Sequence, residues 1–188
     1  MKRVPAIALF AAVAVAATAG GAAYHLWSRS GGGAAAVAGS SSAVVEQVYA
    51  ARLADLKGGT QTLGQWQGRV LVVNFWATWC APCREEIPGF VRMQERYGSR
   101  GLQFVGIAID EPDKVAEFSR EFHINYPLLM GGLETMELMR TAGNRAGVLP
   151  YTLVIARDGK LVSREPGGLK SPRLERIIQP LLYSPSAG

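Results

Sequence analysis

Val70-Leu71-Val72-Val73-Asn74-Phe75-Trp76-Ala77-Thr78-Trp79-Cys80-Ala81-Pro82-Cys83-Arg84-Glu85-Glu86-Ile87-Pro88 is the stretch on which the fold turns. Its first seven residues are an unbroken, largely β-branched and aromatic run, the pattern of a central strand covered on both faces. Beyond Cys80, the apolar residues Ile87, Phe90, Val91 and Tyr97 share one side of a helix, which Pro88 is expected to kink. Cys80 and Cys83 therefore stand where a buried strand gives way to a helix.

Downstream, Leu102–Ile109 reads as a second buried strand, and Thr152–Ala156 and Leu161–Ser163 as a third and fourth. The last two flank Arg157-Asp158-Gly159-Lys160, and Asp-Gly between short apolar runs signals a hairpin. A helix should start near Pro112 with Val115, Phe118 and Phe122 on one face, and a shorter one should cover about 134–141. Ser171 as N-cap, followed by Pro172, opens a last helix to about Leu182. Two helical crossovers imply parallel strand pairs, and the hairpin adds an antiparallel edge. The expected fold class is α/β, a three-layer domain with a mixed central sheet flanked by helices.

The 188 residues are 48% hydrophobic and 19% charged, enough for one domain with a real core and too apolar for a disordered chain. The net charge of +5 suggests a nucleic-acid partner only until it is located. Setting aside Lys2, Arg3 and Arg29, all ahead of the first acidic residue Glu46, leaves 17 basic against 15 acidic side chains. No basic block remains, so nucleic acid is not the expected partner.

Lys2 and Arg3 precede 21 uncharged residues, Val4–Tyr24, which as a helix would just span about 30 Å of hydrocarbon. The basic flank keeps the start cytoplasmic and sends the rest outward. Residues 1–27 read either as an uncleaved signal anchor or as a signal peptide, with Ala17-Thr18-Ala19 as a small-x-small cleavage site. Both destine the domain for the periplasm or another extracytoplasmic face, and the anchor would hold it at the inner membrane. Residues 28–43 are almost all Ser, Gly and Ala and read as a flexible linker. The folded domain is expected over 44–184.

Cys80 and Cys83 are the only cysteines, so no disulfide framework holds the fold. With His25 and His123 both distant, they also make a poor structural zinc site. His123 reads as lying on a solvated helix end, and Met130, Met136 and Met139 as core packing rather than soft-metal ligands. Redox chemistry fits the pair better. Only a thiolate attacks a disulfide, and the unpaired amides and dipole at a helix N-terminus stabilise one. Cys80, exposed in the first turn, is the expected nucleophile. Cys83, a turn deeper, can resolve the mixed disulfide. No metal or other cofactor is expected beyond this redox-active pair.

Asn74–Pro88 closely resembles the active-site segment of the TlpA/ResA family of thioredoxin-fold thiol-disulfide oxidoreductases. Gly147-Val148-Leu149-Pro150-Tyr151-Thr152-Leu153-Val154-Ile155 resembles its cis-proline segment, and Asp158-Gly159-Lys160 and Gly167-Gly168 also fit. The resemblance covers about residues 48–183 and implies a thioredoxin-like fold. It implies that Pro150 follows a cis bond, faces the cysteines and turns the Leu149 backbone toward an extended client segment. Many relatives carry a polar residue where this chain has Leu149.

In the ResA branch a glutamate matching Glu86 lies close to the dithiol. Physically, a partly buried carboxylate there would accept a proton from Cys83, whereas an exposed one would be an ordinary helix residue like Glu85. Thioredoxins proper hold a buried aspartate where this chain has Asn74, which cannot titrate. Trp76 and Trp79 are expected to wall the site, with Trp79 and Pro82 meeting the client alongside Leu149 and Pro150. Most family members are reductants recharged by a membrane electron donor of the DsbD/CcdA kind. Their clients include apocytochrome c and components of cytochrome oxidase assembly. A Cu(I)-binding or delivery module and a disulfide-donating oxidase or isomerase stay open as alternatives.

Overall fold

A computed structural model describes residues 32–183; the expected anchor or signal segment lies outside the described residues. The chain divides into two compact units at Ser40/Ser41, and the second contains the cysteine pair. Residues 28–43 read as a tether, yet from Gly32 the backbone is helical. Helix α1 runs over Gly32–Ala50. The alanines at 34–36 and 38 favour helix despite their glycine and serine neighbours, and its C-terminal part buries Val44, Val45 and Val48. Among the described residues no helix is long and apolar enough to cross a membrane.

The order continues as β1 (Arg52–Asp55), β2 (Thr60–Thr62), β3 (Val70–Trp76), α2 (Ala81–Tyr97), β4 (Leu102–Ala108) and α3 (Pro112–Glu121). Then come β5 (Leu128–Met130), α4 (Leu133–Thr141), β6 (Tyr151–Ile155), β7 (Leu161–Pro166) and α5 (Ser171–Tyr183). The seven strands form one mixed sheet in the order β2-β1-β5-β4-β3-β6-β7. As the crossovers require, β3 runs parallel to β4 and β4 to β5. As the Asp158-Gly159 turn requires, β6 and β7 form an antiparallel hairpin, with Gly159 at φ +79°. Strands β1, β2 and β5 extend the sheet beyond what the hydrophobic runs foretold.

Side-chain alternation divides the core. Val70, Val72 and Trp76 join Ile87 and Phe90 of α2, Val115 and Phe118 of α3 and Leu174 and Ile178 of α5 on one face. Leu71, Val73 and Phe75 join Val48 of α1 and Leu138 and Met139 of α4 on the other. Each such fully buried side chain contributes roughly 1.5–3 kcal/mol, so the strand that leads into the cysteines, buried along its whole length, is firmly anchored in the sheet. Two packing expectations need correction. Met136 is half exposed rather than core, because it falls on the solvent side of α4. Helix α5 already includes Ser171, and the Lys170 carbonyl accepts from the Arg173 and Leu174 amides in the place expected for a Ser171 cap.

Candidate active site

Strand β3 ends at Trp76, and four residues later Cys80 caps α2 with an extended backbone (φ −84°, ψ 106°). Its carbonyl accepts from the Arg84 amide at 3.2 Å, the first bond of the helix. Cys80 and Cys83 are joined in a disulfide. Cys80 is not exposed in the first turn as expected. It is the N-cap itself and only 6% exposed, while Cys83 is fully buried. Both cysteines belong to the core cluster beneath α2, and what exposure the pair has is at Cys80.

The loop ahead of Cys80 has a holder that the spacing did not announce. Asp110, two residues past the end of β4, accepts from the Thr78 amide at 2.9 Å and the Thr78 hydroxyl at 2.5 Å. Burial pushes the Asp110 carboxyl up, but the Thr78 and Glu111 donors outweigh it and hold the group below its usual range. Arg84 lies over the stacked rings of Phe118 and Phe122, 5.0 and 5.2 Å from their centroids.

Antiparallel pairing brings the second motif to the same end of the sheet. Phe75 pairs with Tyr151, so Pro150, at the head of β6, stands level with the end of β3. The Leu149–Pro150 bond is cis. Leu149 is half-buried and packs against both core faces, while Val148 is 43% exposed. Asn144, also unforeseen, holds this loop with both ends of its amide, donating to the Val148 carbonyl at 2.8 Å and accepting from the Val148 amide at 3.1 Å. An asparagine four residues ahead of the loop it closes is the available signal, but a weak one.

Glu86 is the buried carboxylate rather than the exposed one. It lies one turn past Cys83 on the same side of α2 and is 6% exposed. Oε1 accepts from Asn74 Nδ2 at 2.8 Å and Oε2 from the Leu169 amide at 2.7 Å. Burial pushes its pKa up from 4.5 to about 7, and those two donors work against the rise. Glu86 also helps hold the Tyr126 phenol above its ordinary value, after burial.

Three consecutive residues after β7 tie these parts together. The Gly167 amide donates to the Pro150 carbonyl at 2.9 Å, and the Leu169 amide bonds Glu86. Between them, a Cβ on Gly168 would lie 3.3 Å from Pro82 Cβ, so glycine suits this close approach. A groove of about 270 Å³ opens there, lined by Pro82, Glu85, Glu86, Leu169 and Lys170. Of the expected apolar walls, Trp76 is buried and Trp79 is 69% exposed beside the cysteines in sequence. Among the described residues no group of three or more His, Cys, Asp or Glu side chains is placed to hold a metal ion.

A family model described as AhpC/TSA matches residues 44–164. The chain belongs to this family. It is 28% identical over 128 residues to the thiol-disulfide oxidoreductase ResA of Geobacillus kaustophilus, covering 68% of this chain and 71% of that protein. ResA of Halalkalibacterium halodurans is 27% identical over 143 residues, 76% of this chain and 78% of its own. Among solved structures, a thiol:disulfide interchange protein of the thioredoxin family from Chlorobium tepidum superposes with a TM-score of 0.64 at 30% identity, covering 70% of this chain and 92% of that one. The fold is thioredoxin-like, the resemblance to ResA-type proteins holds, and the chain is a thiol-disulfide oxidoreductase.

Proposed function

We propose that this protein reduces disulfides of client proteins at an extracytoplasmic membrane face, with Cys80 as nucleophile and Cys83 as resolving thiol. The observation that carries the reading is the redox pair at the start of α2 with a buried carboxylate one turn beyond it. In the reduced form, the helix dipole favours a thiolate on Cys80. Cys80 Sγ attacks one sulfur of the client disulfide; that S–S bond breaks and the other client sulfur leaves as a thiolate. Cys83 gives its proton to Glu86 and attacks Cys80 Sγ, which frees the second client thiolate and forms the Cys80–Cys83 disulfide. Two electrons pass to the client, and a Glu86 carboxyl near pH 7 is matched to the proton step.

Trp79, Pro82, Leu149 and Pro150 form the client-facing rim in this reading, and no cofactor beyond the dithiol takes part. Residues 1–27 would hold the domain near a membrane dithiol donor of the DsbD/CcdA kind, which restores the two electrons. Clients of the cytochrome c and cytochrome oxidase assembly type are what the resemblance to the TlpA/ResA family implies. The test is a redox titration with a protein-disulfide turnover assay. A potential below about −200 mV with turnover supports reduction. A higher potential with net disulfide donation reverses the direction, and stoichiometric Cu(I) uptake without turnover replaces the enzyme with a metal carrier.

A further inference from the structure

We propose that Asn74 is a positioning residue for thiol–disulfide exchange: pinned by Thr152, its side-chain amide points hydrogen at Glu86 and so orients and sustains that carboxylate. The inference rests on the reading of Glu86 as proton acceptor for Cys83 and deepens it.

Asn74 lies mid-strand in β3 and is 1% exposed. It shares a face with Val72 and Trp76, the face covered by α2, where an aliphatic residue would pack without any polar cost. Its Cα partner on β6 is Thr152, also fully buried. Both hydrogens of Nδ2 are committed, one to Glu86 Oε1 at 2.8 Å and one to Thr152 Oγ1 at 3.0 Å. Oδ1, by contrast, is buried without a partner. A buried amide normally satisfies both ends, so an orphaned acceptor calls for a cause.

Glu86 supplies it. The Leu169 amide occupies Oε2 and can only donate. An ionised Oε1 then needs a second donor, and Asn74 is oriented to be one. Turned over, Asn74 would set Oδ1 against Oε1, two acceptors in repulsion unless a proton lay between them. The orientation, with its unsatisfied oxygen, is thus the arrangement suited to an ionised Glu86. Thr152 anchors the amide from the other side.

Other titratable or charged groups lie near Glu86 among the described residues. Cys83 and Glu85 lie on its own helix, Lys170 lines the same groove, and the Tyr126 phenol feels its charge. Among the described residues, Asn74 is the one side chain that hydrogen-bonds the carboxyl directly. A bond to an ionised group is about twice as strong as a neutral one. Deleting the amide should therefore raise the Glu86 midpoint from about 7.

The experiment follows Glu86 Cδ by carbon NMR through pH in the full chain, beside the pH profile of insulin-disulfide reduction. Glu86→Gln should abolish the break in the profile. Asn74→Leu should keep the break but move it, and the Glu86 midpoint, upward by about half a pH unit or more, roughly three-fold in the ionisation constant. Thr152→Val should move both the same way by less. In the unmodified protein the Asn74 side-chain amide resonances should titrate at the Glu86 midpoint, which keeps the idea testable if Asn74→Leu fails to fold. A break lost in Glu86→Gln but unmoved in Asn74→Leu, or flat Asn74 amide resonances, overturns the role of Asn74 alone. A break that survives Glu86→Gln overturns the reading of Glu86 and this inference with it.

Discussion

Exchanging Glu86 for glutamine should flatten the pH dependence of stability, and the size of the effect follows from the site. In the folded protein burial raises the carboxyl from 4.5 to about 7. Unfolding returns it to water and to its ordinary value. Between those two pH values the folded chain holds a proton that the unfolded chain has released, so raising the pH favours unfolding. The gap is about 2.5 pH units at about 1.4 kcal/mol each, or about 3–4 kcal/mol in all. Below about pH 4.5 both states are protonated and nothing is lost; above about pH 7 both are ionised and the loss is complete. Glutamine has the same shape and no proton to lose. In the oxidised protein the bonded cysteines do not titrate, which removes the nearest competing groups. Urea denaturation of wild type and Glu86→Gln from pH 4.5 to 8 reads the difference, provided the denaturant slopes agree. Wild type should lose about 3 kcal/mol more than the variant across that range, a large part of the roughly 5–15 kcal/mol that holds a typical domain. Parallel curves for the two proteins would refute the reasoning, because they would mean that the carboxyl reaches water in the folded state.

Cys80→Ser should abolish disulfide reduction, whereas Cys83→Ser should accumulate a mixed disulfide visible on a non-reducing gel; full activity in both variants would overturn the order of attack. Asp110→Ala should cost about 1–3 kcal/mol in urea unfolding, because the Thr78 amide and hydroxyl lose a charged acceptor. An unchanged midpoint there would mean that water replaces Asp110 without loss. In Gly106→Ala, the added Cβ would meet Leu128 Cδ2 at 2.7 Å and Trp76 Nε1 at 3.0 Å, so the melting temperature should drop by an amount equivalent to about 1–3 kcal/mol. A variant that melts like wild type would show that this face of β4 gives way readily.

The four strands visible in the sequence were long or sharply bounded. Val70–Trp76 and Leu102–Ala108 are apolar enough on both faces to be seen without a structure. Strand β5 has three residues behind Pro127, too few to establish a period; β1 has only four residues, and the edge strand β2 is Thr-Gln-Thr, with no apolar position to betray it. Helix α1, Gly32–Ala50, was hidden by the serines and glycines in its first half, which read as loop while the alanines among them favour helix. At the site, a two-residue spacer at a strand–helix junction announced the cysteines. Their burial was not legible, since it depends on which neighbours close over the helix start. Glu86 was undecided between burial and solvent because position along a helix does not fix its facing partner; the Leu169 amide, 83 residues away, does. Asn74 looked like an absent acid, and its value as a donor emerges only when Glu86 and Thr152 are seen on either side of it.

The bridge between Cys80 and Cys83 spans a sequence separation of only three. In the chain-entropy picture a ring that small restrains the unfolded polypeptide by about 2 kcal/mol, against about 4.7 for a hundred-residue loop. Opening it therefore removes only a small part of the roughly 5–15 kcal/mol that holds a typical domain. Many extracellular domains depend on their cross-links to remain folded. Here the linkage carries little of the fold's stability, which suits a bond that must open and re-form in every exchange.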